Sequence, residues 1–476
     1  MTERPSPTSI HQSLLACFDT QKQAFHHEPD RELARRIEDL RKLKQALLAH
    51  SDRLCDALER DYQGRSRQDS LLSDILPCVM NLRYSSKHLK QWFKPEKRRA
   101  GLLLAPARVE VHYQPLGVVG IVVPWNFPVM LSIGPLIAAL AAGNRAMIKL
   151  SEFTPHTNRA LIAMLAEAFD KDQVACIEGE ADVAAQFTAL PFDHLLFTGS
   201  TAVGHHVMRA AAENLTPVTL ELGGKSPVIV GPDMDLDVAV KRMAFGKCLN
   251  AGQICVAPDY VLVPREKLDA FVDAYRRRFE TLYPDGVDSP DYGSVINDRH
   301  YQRLTALLED ALAKGARAVP CARGKHRDDR RRRITTHLLL DTDDDMRVRQ
   351  DEIFGPLLPL VPYDNIKEAL DHVRDRPRPL ALYLLSYDRE LQQQVIDHTH
   401  AGGMCINDTL FHVAAEDAPF GGVGPSGMGH YHGQEGFKTF SNAKTVLRQG
   451  RFYSAAMMQP PYGKWLQKLV FKLFLR

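Results

Sequence analysis

The chain has 476 residues, too many for one ordinary core, and its 45% hydrophobic and 25% charged content is that of a globular protein rather than a disordered or fibrous one. A net charge of +2 gives no general attraction to nucleic acid or to a membrane. Eight cysteines lie scattered without a C-x-x-C pair or metal-ligand spacing, and the first ten residues contain no apolar run; no metal site is predicted, and the expected compartment is the reducing cytoplasm.

In chain order, Leu33, Ile37, Leu40, Leu43, Leu47, Leu54 and Leu58 recur at three- and four-residue spacing, predicting helices through the first hundred residues. R-V-E-V-H-Y at 108–113 alternates as a half-buried strand does. The most apolar stretch, 129–142, contains Ser132, Gly134 and Pro135; it is too short to span a bilayer and reads as a buried helix. Short β-branched runs at 117–124, 145–150, 193–199, 217–222 and 227–230 alternate with helical stretches such as 158–169, the pattern of a parallel sheet with crossovers. A second α/β series begins near Asp235, with a helix over 265–280 and strands at 260–263, 357–361 and 380–385. The basic run R-G-K-H-R-D-D-R-R-R-R at 323–333 has no interleaved aromatics and two aspartates, so a solvated surface loop is expected rather than a nucleic-acid site. At the C-terminus Trp465, Leu466, Leu469, Val470, Leu473 and Phe474 share a helical face beside lysines. Docking on its own or a partner subunit is expected for that face, with an interfacial membrane helix as the alternative.

Five strings carry chemistry. Cys255, in N-A-G-Q-I-C-V-A-P-D at 250–259, has the flexible Gly252 and the polar Asn250 and Gln253 beside it; a thiolate there can attack a carbonyl. Glu221, in T-L-E-L-G-G-K-S-P at 219–227, ends an apolar run, and a partly buried carboxylate of that kind can activate a water against a thioester. Asn126, in P-W-N-F-P at 124–128, offers a side-chain amide to an oxyanion, or else caps the following helix. F-T-G-S-T-A-V-G at 197–204 follows a predicted strand and opens a helix, a turn that suits a dinucleotide phosphate. Lys149 and Glu152 end another strand where a ribose sits in an α/β cofactor domain. Glu352 stands in E-I-F-G-P at 352–356.

Together, in this order, the strings resemble the aldehyde dehydrogenase superfamily over about residues 60–450. C-V-A-P-D-Y at 255–260, P-F-G-G-V-G-P-S-G-M-G-H-Y-H-G at 419–433 and F-K-T-F-S at 437–441 resemble its class 3 group. D-Y-Q-G-R-S at 61–66, W-F-K-P at 92–95 and the P-P-Y-G tail resemble bacterial coniferyl aldehyde dehydrogenases within that group. The resemblance implies an α/β fold of two Rossmann-like parallel-sheet domains plus a small β oligomerisation element. It divides the chain into a cofactor-binding domain at 1–105 and 115–220, a catalytic domain at 221–415, and a bridging element at 106–114 and 416–476 that builds a homodimer. By the same resemblance Cys255 is the nucleophile, Glu221 the base for thioester hydrolysis, and Asn126 with the Cys255 N–H the oxyanion hole. Lys149 and Glu152 would hold the adenosine ribose, Gly199, Ser200 and Gly204 the phosphate turn, Glu352 the nicotinamide ribose, and Phe354 the nicotinamide face. K-L-S-E at 149–152 departs from the usual proline in second place but keeps both ribose residues.

The expected activity is NAD(P)-dependent oxidation of an aldehyde to its acid, with coniferyl aldehyde as substrate and NAD favoured because Glu152 would repel a 2′-phosphate. Trp125, Tyr113, Phe411 and His412 are candidate pocket walls. The alternatives are a class 3 enzyme for aliphatic or benzaldehyde-type substrates, a coenzyme A-acylating relative, which the carboxylate Glu221 opposes, a cofactor-independent thiol esterase, which lacks a histidine near Cys255 in sequence, and an inactive protein on the same fold.

Overall fold

The computed structural model describes residues 7–451 and 459–475. The long helices Pro7–His27, Leu33–Ala49, Ser51–Tyr62 and Leu76–Trp92 occupy most of the first hundred residues, the last entered through the short helical stretch Arg67–Ser70 and Leu71–Ile75. Leu40, Leu43, Leu47, Leu54 and Leu58 are buried, as their spacing requires.

Two sheets follow. In the first, the strands run in the spatial order Gly427–Met428, Val218–Glu221, His194–Thr198, Val118–Val122, Arg145–Lys149, Val174–Ile177, all parallel except the first-named edge strand. The earliest strand, Val118–Val122, is central; the next two add on one side, and His194–Thr198 switches to the other. Such a switch opens a crevice beyond the carboxyl ends of Val118–Val122 and His194–Thr198, where ligands of doubly wound sheets sit.

The second sheet orders Arg317–Pro320, His337–Leu340, Leu357–Tyr363, Tyr260–Pro264, Pro227–Val230, Ala381–Leu385 and Gly403–Ile406, with only the first strand antiparallel. Six residues after Glu221 ends a strand of the first sheet, Pro227 begins a strand of the second. Carboxyl ends of one sheet therefore meet amino ends of the other. A third, antiparallel sheet joins Glu96–Arg98, Arg108–Pro115 and Ser441–Arg448. The apolar stretch at 129–142 is a buried helix, Met130–Ala142, packed behind the first sheet.

One expectation is corrected, and the alternatives for the C-terminal helix are narrowed. The basic run is not simply a solvated loop: it folds back as a short hairpin, Arg327–Asp328 with Arg333–Ile334, and Arg332 and Arg333 are buried. Arg333 donates to the carbonyls of Val287 (3.1 Å), Ser289 (2.9 Å) and Gly64 (3.3 Å), and Arg332 to Gln63 Oε1 (3.0 Å). Fixed carbonyls replace the water those guanidiniums would otherwise need. The C-terminal helix, Trp465–Phe474, is not docked on the chain's own body; Trp465 stays 71% and Leu473 65% exposed. It is closed locally instead, since buried Gln467 accepts from the Gly463 N–H at 2.8 Å and donates to the Gln459 carbonyl at 3.3 Å. Among the described residues no helix is long and apolar enough to cross a membrane.

Candidate active site

The turn that follows Val118–Val122 carries Asn126, buried, whose Nδ2 donates to the Gln253 carbonyl at 3.2 Å. Its backbone oxygen accepts from Tyr62 Oη (2.9 Å), Arg65 Nη1 (2.9 Å) and Asn250 Nδ2 (3.2 Å). Tyr62 and Arg65 belong to the D-Y-Q-G-R-S string, so that string clamps the turn bearing the amide. Sequence reasoning assigned these residues no role; a buried arginine beside two aromatics is the sign that could have found them. Arg65 lies 5.0 Å from the rings of both Tyr62 and Phe127.

Cys255 follows an unusual turn. Asn250 and Ala251 have φ of 50° and 53°, and Gly252 has 75°, three successive residues in the left-handed region. At Gly252 a Cβ would come within 2.5 Å of the Gly355 carbonyl oxygen, so glycine is required by close approach as well as by φ. Gln253 fixes the turn: its amide donates to the carbonyls of Asn250 (2.8 Å) and Ser294 (3.1 Å) and accepts from the Ile296 N–H (3.0 Å). The contact between Gly252 and Gly355 brings N-A-G-Q-I-C against E-I-F-G-P. This follows from the sheet, because the strands after each string, Tyr260–Pro264 and Leu357–Tyr363, are parallel neighbours.

The E-I-F-G-P loop is held from several sides. Arg303 donates to the carbonyls of Glu352 (3.2 Å) and Ile353 (2.6 Å), and Asp259 accepts from the Ile353 N–H at 2.8 Å. Lys225, paired with Asp259, donates to the carbonyls of Val348 and Asp351. Phe354, with φ of 46°, meets Trp125 edge-on at 5.3 Å, joining this loop to P-W-N-F-P. Glu352 sits over Gly223, where any Cβ would collide with its carboxylate.

Glu221 ends its strand in register with Thr198 and Gly427. It is 3% exposed, and neither carboxylate oxygen has a hydrogen-bond partner. Burial pushes its pKa well above the ordinary carboxylate value, and Glu352 rises to about 8, through burial first and then the charge of Asp259. The Cys255 thiol is pushed up to about 12 by burial, then by the charges of Glu352 and Glu221. The arrangement is a thiol, a proton-accepting carboxyl and an amide donor gathered from three strand ends.

The remaining residues divide. Ser200 caps helix Thr201–Ala212 by accepting from the Val203 N–H at 3.4 Å, and Gly199 precedes it, donating to the Glu221 carbonyl at 3.0 Å. Gly204 lies one turn into that helix, where its missing Cβ lets Leu222 pack against it. Lys149 is buried at the end of its strand, its Nζ donating to the Leu150 carbonyl at 2.7 Å, while Glu152 is exposed. Tyr113 is taken up in the third sheet, against Phe437 at 5.8 Å and with its hydroxyl donating to Glu96, and so leaves the list of pocket walls. Phe411 is exposed, whereas His412 is half-buried against Tyr383.

The switch-point crevice, the helix N-terminus at Gly199–Ser200 and the unpartnered Glu221 carboxylate fit a dinucleotide bound between the sheets with its reactive end toward Cys255.

Comparison with known proteins agrees with this geometry. Residues 10–446 match the profile of the Aldehyde dehydrogenase family. The chain is 54% identical over 464 residues to a "Probable coniferyl aldehyde dehydrogenase" of Pseudomonas aeruginosa, covering 97% of this chain and 96% of that one. It is 45% identical over 462 residues to a "Coniferyl aldehyde dehydrogenase" of a Pseudomonas species, covering 96% of each. Among solved structures, the substrate-bound state of Staphylococcus aureus AldH superposes with a TM-score of 0.92 at 38% identity, over 97% of this chain and 99% of that one. With two parallel sheets meeting at a half-buried thiol and a relative at 54% identity along almost its whole length, the chain belongs to the aldehyde dehydrogenase family.

Proposed function

We propose that the protein oxidises coniferyl aldehyde to ferulate with NAD, through a covalent thioester on Cys255. The observation that carries this reading is Glu221: a buried carboxylate with two unpartnered oxygens, electrostatically coupled to the thiol. Such a group is costly unless used. Cys255 Sγ adds to the aldehyde carbon, and Asn126 Nδ2 with the Cys255 N–H donates to the oxyanion that forms. A nicotinamide supplies the hydride acceptor when bound. Glu221 then takes a proton from water, the hydroxide adds to the thioester carbon, and collapse expels the Cys255 sulfur and releases the acid. In the free site the thiol is held protonated by burial and two carboxylates, so a neighbouring positive charge or proton transfer to Glu221 is needed for attack.

Lys149 and Glu152 would hold the adenosine ribose, Gly199, Ser200 and Gly204 the phosphates, and Glu352 with Phe354 the nicotinamide end. Glu152, Glu178 and Asp182 all act on Lys149 electrostatically, a carboxylate-rich surrounding that disfavours a 2′-phosphate and supports NAD. The coniferyl assignment draws on the names of the two relatives and on the resemblance carried by D-Y-Q-G-R-S at 61–66. The division into 1–105 with 115–220, 221–415, and 106–114 with 416–476 is supported in outline by the three sheets, with Gly427–Met428 lying in the first and Glu96–Arg98 in the third. A homodimer is supported by the outer edge of Ser441–Arg448, which among the described residues pairs with no further strand, and by the exposed apolar helix that follows. A cytoplasmic setting is supported by eight free thiols.

The test is reduced-nicotinamide absorbance with NAD or NADP and coniferyl aldehyde, benzaldehyde and octanal side by side. Preference for coniferyl aldehyde with NAD is expected. Preference for octanal or benzaldehyde would replace the substrate, and turnover of an ester without nucleotide would favour the thiol esterase.

A further inference from the structure

The chemistry above leaves a second set of buried polar groups unused. The segment 407–433 folds back beside the active site and carries His412, Glu416, Phe420, Tyr431 and His432. His432 is 2% exposed, and its Nδ1 has no hydrogen-bond partner; nor has the buried Oε2 of Glu416. The chain at Gly433, the residue after His432, packs directly on the Glu416 backbone carbonyl, where a Cβ would overlap it.

Rings surround His432. Phe420 stacks on His432 at 5.0 Å and 25°, and Tyr431 meets His432 edge-on at 4.7 Å. The wall continues from Phe420 to His412 at 6.1 Å and on to Tyr383 at 5.9 Å. Tyr383 Oη donates to the Val256 carbonyl at 2.5 Å, so this wall ends on the peptide that follows Cys255. Burial first, and then the charges of Glu221, Cys255 and Glu416, raise the Tyr431 hydroxyl well above its ordinary value. Burial holds His412 and His432 neutral, each with a pKa near 4, and raises Glu416 to about 7.

A buried donor or acceptor without a partner is costly, and one placed in an aromatic wall is matched by a flat ring bearing its own polar atom. We propose that His432 and Glu416 are the distal recognition point of the aldehyde site, hydrogen-bonding a ring oxygen of an aromatic aldehyde that lies against Phe420. This rests on the aldehyde-oxidising reading and deepens it, since it says how an oxygenated ring is told from a plain one. A site built to bond a substrate hydroxyl rejects the analogue lacking it, because its own polar atoms are then left unpaired. An added positive or negative charge on the ring would find no counter-ion among two neutral imidazoles and a carboxyl near its titration point.

The experiment compares kcat/KM for coniferyl aldehyde and for cinnamaldehyde, which lacks both ring oxygens, in the NAD-loaded enzyme and in Glu416→Leu, Glu416→Gln and His432→Phe. Binding of ferulate and of cinnamate to Cys255→Ser protein, with and without Glu416→Leu, is measured by calorimetry. The wild type is expected to favour coniferyl aldehyde by on the order of a hundredfold, and Glu416→Leu and His432→Phe to reduce that ratio at least about tenfold. Glu416→Gln, which keeps hydrogen-bonding atoms, should retain most of it, and ferulate should lose its advantage over cinnamate in the Glu416→Leu background. A ratio unchanged in both apolar variants overturns the inference while leaving aldehyde oxidation standing. If the wild type oxidises neither aldehyde, that reading fails by itself, and calorimetry still decides: equal binding of ferulate and cinnamate overturns the recognition site.

Discussion

Arg65 Nη2 lies 2.6 Å from Asp74 Oδ2 with both side chains wholly buried, and the far side of each partner holds a different part of the oxyanion turn. Arg65 grips the Asn126 carbonyl, while Asp74 Oδ1 accepts from the Val129 and Met130 N–H groups at 3.1 and 3.0 Å, where the buried helix begins. Breaking such a pair by removing one charge strands the other in the core, at a cost of about 3–5 kcal/mol. Asp74→Asn should therefore lower the thermal midpoint by about 3–5 °C, read by calorimetry. Arg65→Met should also lower kcat by about 10- to 100-fold, as expected for a displaced donor. Wild-type kcat in Arg65→Met would show that Asn126 keeps its place without the clamp.

Glu221→Gln removes the base while keeping its shape. Rapid mixing should still give one equivalent of reduced nicotinamide per site, followed by a steady state slowed by about 10²–10⁴-fold. A missing burst would assign Glu221 to activation of the thiol instead. Cys255→Ser should abolish both phases.

Gly223→Ala drives a Cβ into the Glu352 carboxylate. The carboxylate must swing away, so KM for NAD should rise by about tenfold, the scale of one lost hydrogen bond. The aldehyde KM should move much less. An unchanged NAD KM would remove Glu352 from the nucleotide contacts.

Glu352 also makes stability depend on pH. Its pKa is raised from the ordinary value to about 8, so the folded state favours the protonated form. The stabilisation relative to an uncharged isostere is complete below about pH 4.5 and is lost as pH climbs through about 8. Glu352→Gln should thus match the wild type in thermal midpoint at pH 5 and exceed it at pH 9. A gap of the same size at both pH values would contradict the assigned shift.

The five chemical strings are legible in the sequence because each is a local turn: the Gly252 and Phe354 conformations, the Glu221 strand end and the Ser200 cap all sit within a few residues of their signals. The parallel strands are legible for the same reason, as short β-branched runs between amphipathic helices. What escapes is everything decided by partners far along the chain. Nothing near Arg65 says that it will meet Asp74 and the Asn126 carbonyl, and nothing in a run of four arginines says that Arg332 and Arg333 will find the carbonyls and amide of distant segments. Tyr113 misleads because alternation fixes which face of its strand it occupies, not what packs on that face, and its ring is taken by Phe437. The tail helix shows its apolar face in sequence but not what closes on it.

The two arginines of the hairpin have a consequence for how the enzyme becomes active. Arg332 and Arg333 come from the part of the chain that builds the second sheet, yet they hold Gln63 and Gly64, and the next residue, Arg65, orients Asn126. The amide that is to receive the oxyanion is thus steered by contributions from both halves. A chain in which only the first sheet has formed has Glu221 at its strand end, but its Asn126 turn lacks part of its support. Closing the two halves on one another is what completes the setting of that amide.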